Sequence, residues 1–281
     1  MSKNLVRGLV ALIRPLNCFM AALAVPATFL FLAGVNRIQA FSKEMILGSL
    51  VVFFMCAGGN ALNDLVDSRI DRINKPARPI PSRMVTKNQT LLFSFSLFLV
   101  SISAASAISK IVLISVVAGS MLLAFYDLFS KYLGILGNVI VAVILGAPFI
   151  VMGLISGEVH KSILVAIAAG SIIFGRELIK SIEDVKGDSI IGIHSFPAKY
   201  GKKKTASIAS LSLIIGSIAL VYLRTYYNAA YIIVLLFALY KFMGPVLQPL
   251  RMTTKKAGGY SKNIKAGIII VILAVVLGSL F

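Results

Sequence analysis

Asn60, Asp64, Asp67 and Asp71 are spaced 4, 3 and 4 apart, and Glu177, Ser181, Asp184 and Asp188 repeat that spacing 117 residues later. On a helix, such spacings stack side chains along one face. The potential ligands are all oxygens, and that donor set suits a hard divalent cation. Mg2+ takes one or two carboxylates, keeps several waters and shares the phosphate oxygens of a substrate. Neighbouring carboxylates also raise one another's pKa unless a cation compensates. Arg72, Lys75 and Arg78 follow the first cluster, and Lys131 and Lys202 to Lys204 stand further along the chain. This pattern predicts carboxylates, Mg2+ and a diphosphate ringed by bases. A single Asp or Arg at a membrane interface is most simply a solvated helix end. Two matched acidic faces argue for a shared task.

The elements that must position these residues are membrane spans. The chain has 281 residues, 58% of them hydrophobic and 14% charged, against about 25% charged in a soluble domain. Nine apolar runs approach the length of a hydrocarbon core, at about 16–35, 45–63, 90–108, 111–126, 136–156, 162–181, 205–223, 229–247 and 264–281. Backbone polar groups in lipid must be satisfied within the segment, so these runs are expected to be helices and the fold all-α and polytopic. The first run, preceded by Lys3, Arg7 and Arg14, has the flavour of a signal peptide but is too long, and reads as the first span. The 117-residue offset between the acidic clusters suggests a pseudo-repeat of spans 1–4 and 5–8.

A net charge of +18 does not point to nucleic acid here, because Lys and Arg collect in cytoplasmic loops of membrane proteins. The N-terminus and the loops after spans 2, 4, 6 and 8 hold 22 of the 28 bases; the opposite side holds five, and Arg176 lies inside span 6. That asymmetry puts the N-terminus in the cytoplasm and the C-terminus outside. Eight of the ten acids lie at the same ends of the spans as most bases, Glu44 and Glu158 being the exceptions. A bias in basic residues alone would not recruit acids there. Cys18 and Cys56 lie in apolar runs and read as packing, while His160 and His194 are too far apart to suggest a metal cluster.

"NDLVDSRIDRINKPARPIPS" resembles the signature of the UbiA superfamily of intramembrane prenyltransferases, and "SIEDVKGDSIIGIHSFPAKYG" resembles its second motif. The resemblance covers essentially the whole chain. It departs at Ser181, where the superfamily usually has Asp; a metal at that end would rest on Asp184 and Asp188, with help from Glu177 or water. "RPLNCFMAALAV", "IDRINKPARPIPS" and "YDLFSKYLGILGN" look like the archaeal digeranylgeranylglyceryl phosphate synthase branch. The resemblance implies one integral membrane domain over residues 1–281, with nine helices around a central cavity and cytoplasmic cap loops at about 64–89 and 182–204. It implies metal ligation by Asn60, Asp64, Asp67, Asp71, Glu177, Asp184 and Asp188, the five Asp being catalytic. Asn17, Asn60, Arg72, Lys75, Arg78, Tyr126, Lys131, Asn138, Lys180 and Lys202 would bind substrate.

The implied reaction is Mg2+-dependent transfer of a geranylgeranyl group from its diphosphate to the free hydroxyl of geranylgeranylglyceryl phosphate, in the bilayer, with no obligate protein partner and no nucleic acid. Mg2+ would make diphosphate a better leaving group, the bases would stabilise its developing charge, and apolar walls would keep water from the allylic cation. The departing diphosphate and Asp71 are both candidates to take the hydroxyl proton. Three other readings stay open. An aromatic acceptor fits the same superfamily. A secondary transporter would also carry repeats and intramembrane acids, although these acids sit at span ends. A CDP-alcohol phosphatidyltransferase would need D-G-x-x-A-R, where this chain reads "SRIDR" after Asp67.

Overall fold

The computed structural model describes residues 3–190 and 195–280, without the side chains at residues 3, 74, 130–132 and 186–190. Lys131 and Asp188 therefore lie outside the described residues as side chains, and His194 lies outside them altogether. The helices are α1 Lys3–Ile13, α2 Pro15–Ala33, α3 Ser42–Val66, α4 Ser68–Asn74, α5 Lys87–Ser106, α6 Lys110–Leu133, α7 Ile135–Ser156, α8 Val159–Ile190, α9 Phe196–Tyr200, α10 Lys202–Leu223, α11 Ala229–Leu247 and α12 Thr254–Leu280. Among the described residues, nine of them (α2, α3, α5, α6, α7, α8, α10, α11 and α12) are long and apolar enough to cross a membrane. Large apolar side chains such as Leu92, Phe95, Ile218 and Phe237 are more than 60% exposed. Such a surface is tolerable in lipid and a liability in water.

Three boundaries depart from the sequence reading. An additional helix, α1, precedes the first span; its apolar residues Leu5, Leu9 and Leu12 pack against Ile80 and Val85. Helix α8 runs past residue 181 to Ile190, because the acidic 4-3-4 pattern is itself helix-compatible and no breaker intervenes. Helix α12 starts at Thr254 rather than near 264, with the Thr253 hydroxyl accepting the Lys256 N–H at 3.3 Å. That bond satisfies one of the donors a helix start leaves open.

The chain divides into two compact units, one of residues 1–26 and 40–129 and the other of residues 27–39 and 130–281. In the first, α3 packs on α5 and α1. Gly58 lies against Phe98, and the hydroxyls of Ser94 and Ser101 donate to Gly58 O and Val51 O at 2.8 and 2.9 Å. Small residues and short hydroxyl bonds are how helices associate where lipid removes the hydrophobic drive. In the second unit, α8 packs on α7, α10 and α12. A Cβ on Gly175 would come within 2.9 Å of Leu213, and one on Gly216 within 2.7 Å of Ile172. The Ser212 hydroxyl donates to Ser171 O at 2.7 Å. This close α8–α10 contact fixes the helix that carries the second acidic cluster.

Candidate functional site

The first cluster straddles a break. Asn60 and Asp64 lie on α3, and Asp71 lies on α4. Asp67 joins the two helices with φ −79° and ψ 1°. Its N–H still reaches Asn63 O, and the Asp71 N–H reaches Asp67 O, each at 2.9 Å. The helical sense therefore carries through the break, into a stretch that the sequence reading assigns to a cap loop starting near 64. Asp64 and Asp71 are buried, Asp67 is half-buried, Lys75 is half-buried and Arg72 is exposed.

The buried carboxylates are held by arginines. Arg78 Nη1 donates to Asp64 Oδ1 at 2.8 Å and to Asp71 Oδ2 at 2.6 Å. Arg14 also pairs with Asp64 Oδ1 through Nη2. Arg14 was not among the candidate site residues. The available signal was its place directly before Pro15, which ends one helix and opens the next. It has φ +51°, a conformation uncommon outside glycine. Helix α3 grips this corner twice, since Asn60 Nδ2 donates to Ile13 O at 2.9 Å while Asp64 takes the Arg14 guanidinium. Asn17 is half-buried one turn into α2.

Arg78 is aimed by a coiled segment rather than a loose loop. Ser82 N–H and Oγ both donate to Arg78 O, at 2.9 and 2.7 Å, and Met84 N–H donates to Pro79 O at 2.9 Å. Ile80 and Val85 are buried with Leu12 and Ala61. Helix α1 seats this segment closely, for a Cβ on Gly8 would meet Val85 Cγ1 at 2.8 Å and Met84 Cβ at 2.9 Å. Burial pushes the Asp71 carboxyl above its usual range; Arg78 pulls it back, and Asp67 and Asp64 add to the upward push. Arg78 therefore leaves room for further positive charge at Asp71. On α6, Asp127 is buried and accepts from Asn63 Nδ2 at 3.3 Å, one residue beyond half-buried Tyr126. Sequence reasoning placed Asp127 among the span-end acids without giving it a role.

In the second unit, α8 carries Arg176, Glu177, Lys180 and Asp184 without a break. Arg176 Nη1 pairs with Glu177 Oε1 at 2.6 Å, and Lys180 Nζ lies 3.5 Å from Glu177 Oε2. Both oxygens of Glu177, a candidate metal ligand, thus face cations. The Ser181 hydroxyl donates back to Leu178 O at 2.8 Å. Asp184 is half-buried, Lys202 is half-buried at the start of α10, and Asn138 is half-buried on α7. Among the described residues, no three His, Cys, Asp or Glu side chains converge on a ready-made metal position. The donor chemistry nevertheless fits a hard cation. Asp64 and Asp71 already share one positively charged nitrogen, and burial leaves Asp71 in need of more positive charge.

The sequence profile of the UbiA prenyltransferase family matches residues 19–262. The chain is similar to the digeranylgeranylglyceryl phosphate synthase of Methanococcus maripaludis, with 35% identity covering 98% of this chain and 99% of the relative. A solved structure concerning digeranylgeranylglyceryl phosphate synthase in membranes aligns with a TM-score of 0.75 and 29% identity, covering 98% of each chain. A UbiA homologue from Archaeoglobus fulgidus, solved with DMAPP and Mg2+, shares the fold with a TM-score of 0.64 at 17% identity, covering 96% of this chain and 99% of that one.

Proposed function

This chain belongs to the UbiA prenyltransferase family, and from that premise we propose that it transfers a geranylgeranyl group from geranylgeranyl diphosphate to the free hydroxyl of geranylgeranylglyceryl phosphate. The similarity to digeranylgeranylglyceryl phosphate synthases over nearly the full length of both chains supports this acceptor over an aromatic one. Family membership also favours prenyl transfer over transport. The observation that carries the site is the buried pair Asp64 and Asp71 sharing Arg78. In the first unit the carboxylates and the cations that would meet a charged head group are already assembled.

Asn60, Asp64, Asp67 and Asp71 would hold one Mg2+, and Asp184 and Asp188 another. When bound, Mg2+ neutralises diphosphate and so improves the leaving group. Arg78, Lys75 and Arg72 supply preorganised positive charge where negative charge develops. Lys131, Lys180 and Lys202 are the further cations of the substrate set, with Asn17, Tyr126 and Asn138 as its polar members. Arg14 positions Asp64 through its guanidinium contact with Oδ1. The acceptor oxygen forms a bond to C1 of the prenyl chain as the C1–O bond to diphosphate breaks, and the electron pair leaves with diphosphate. The hydroxyl proton passes to the released diphosphate or to Asp71. The apolar helices exclude water from the allylic carbon, which would otherwise be hydrolysed. The active-site loops and the N-terminus face the cytoplasm and the C-terminus faces outward, in keeping with the distribution of basic residues.

The test is a panel. Protein in nanodiscs is given geranylgeranyl diphosphate with geranylgeranylglyceryl phosphate or with aromatic acceptors, and products are identified by mass. The proposal expects the diether phosphate; an aromatic product alone would replace it.

A further inference from the structure

Arg176 is a charge without an adequate partner. It lies within the apolar span Val159–Val185, where ionisable side chains are costly and usually functional. Its partner, Glu177, is its sequence neighbour, and adjacent residues on a helix do not face each other. The 2.6 Å contact therefore requires the two side chains to bend together. Glu177 has a better-placed cation in Lys180, three residues on and on the same face. Among the described residues, two cations thus contact the one carboxylate of Glu177. Arg176 Nε is buried with no hydrogen-bond partner. Glu177 does not need Arg176 for its own neutralisation, whereas Arg176 needs an acceptor for its second edge.

We propose that Arg176 binds a phosphoryl group of a substrate, and that Glu177 is the internal counter-anion that holds it until the substrate arrives. This rests on the prenyl-transfer reading for the identity of the substrates. A guanidinium offers a planar fork that matches two phosphate oxygens at once. Arg176, Lys180 and Asp184 are spaced 4 and 4 along α8, so they share one face, with Arg176 about 12 Å along the axis from Asp184. The phosphoryl group is either the donor's diphosphate or the phosphate monoester of the acceptor. Glu177 thereby moves from the metal-ligand set to the anion site.

The experiment compares Arg176→Gln, Arg176→Lys and Glu177→Gln with the parent in nanodiscs. KM is measured for each substrate, and thermal protection is measured with inorganic phosphate and with pyrophosphate. Loss of a charge-assisted fork predicts a KM about tenfold or more higher for one substrate in Arg176→Gln. The donor KM rising identifies the diphosphate, and the acceptor KM rising identifies the monoester. Arg176→Lys recovers part of the effect, and Glu177→Gln lowers the same KM by freeing the guanidinium. Protection by the matching anion disappears in Arg176→Gln. A lower melting temperature with both KM values and anion protection unchanged overturns the proposal. If Arg176→Gln does not fold, unchanged KM values in Arg176→Lys and Glu177→Gln overturn it. A parent that forms no prenyl ether defeats the functional reading instead, while the two anion-protection assays still judge Arg176.

Discussion

Removing Arg78 exposes the electrostatics of the first acidic cluster. Arg78→Gln deletes two charge-assisted hydrogen bonds, 2.8 and 2.6 Å long, to carboxylates whose side chains are only 4% and 5% exposed. Each such bond contributes about 1.5–3 kcal/mol. The full sum is not expected. Arg78 itself is 21% exposed, and Asp64 retains Arg14. Asp71, already pushed upward by burial, can take a proton. A loss of about 2–3 kcal/mol remains, or about 5–10 °C in melting temperature for a chain of this size. The chain has no tryptophan, but Cys18 is buried, so a thiol-reactive fluorogenic dye reports unfolding. The sign with pH follows from Asp71. A carboxyl with a raised folded-state pKa favours the fold while protonated, and that contribution is lost as pH rises through the folded pKa. The variant's deficit should therefore be larger at pH 8 than at pH 5, and Mg2+ should recover part of it at pH 8. A variant as stable as the parent at pH 8 would refute the claim that Arg78 neutralises this pair.

Asp67→Ala and Asp184→Ala should each lower prenyl transfer at least about 100-fold, as expected for losing groups that act through a metal, while the melting temperature stays within about 4 °C of the parent; turnover and thermal scans on the same preparations decide this. Gly8→Val should overpack against Val85 and Met84, costing about 1–3 kcal/mol, and should raise the donor KM through displacement of the segment that carries Arg78; an unchanged donor KM would disconnect α1 from the site. Ser181→Asp adds a carboxylate one turn before Asp184, and should lower the Mg2+ concentration for half-maximal rate, read from a metal titration.

The spans and acidic clusters were legible because they are periodic. Hydropathy marked the nine long helices, and the 4-3-4 spacing marked both acidic faces. The partners were harder to see. Arg14 lies 50 residues from Asp64 in sequence, and only the turn at Pro15 brings its guanidinium to that carboxylate. Helix α1 was hidden because eleven residues with two charges cannot span a bilayer, and nothing local announces that Gly8 seats the Arg78 segment. Glu177 reads as a metal ligand by residue type and spacing; its pairing with Arg176 and Lys180 depends on side-chain conformations that spacing alone does not fix. Helix α4 was hidden because its charges and the prolines that follow read as a cap loop, although residues 68–74 themselves contain no glycine or proline to prevent a helix.

The most direct test of the mechanism is the stoichiometry of the transfer in nanodiscs. With geranylgeranyl diphosphate, geranylgeranylglyceryl phosphate and Mg2+, the protein should release one diphosphate per diether phosphate formed, and neither product should appear with EDTA or in Asp64→Asn. Diether formation that persists without Mg2+ or without the Asp64 carboxylate would contradict the account.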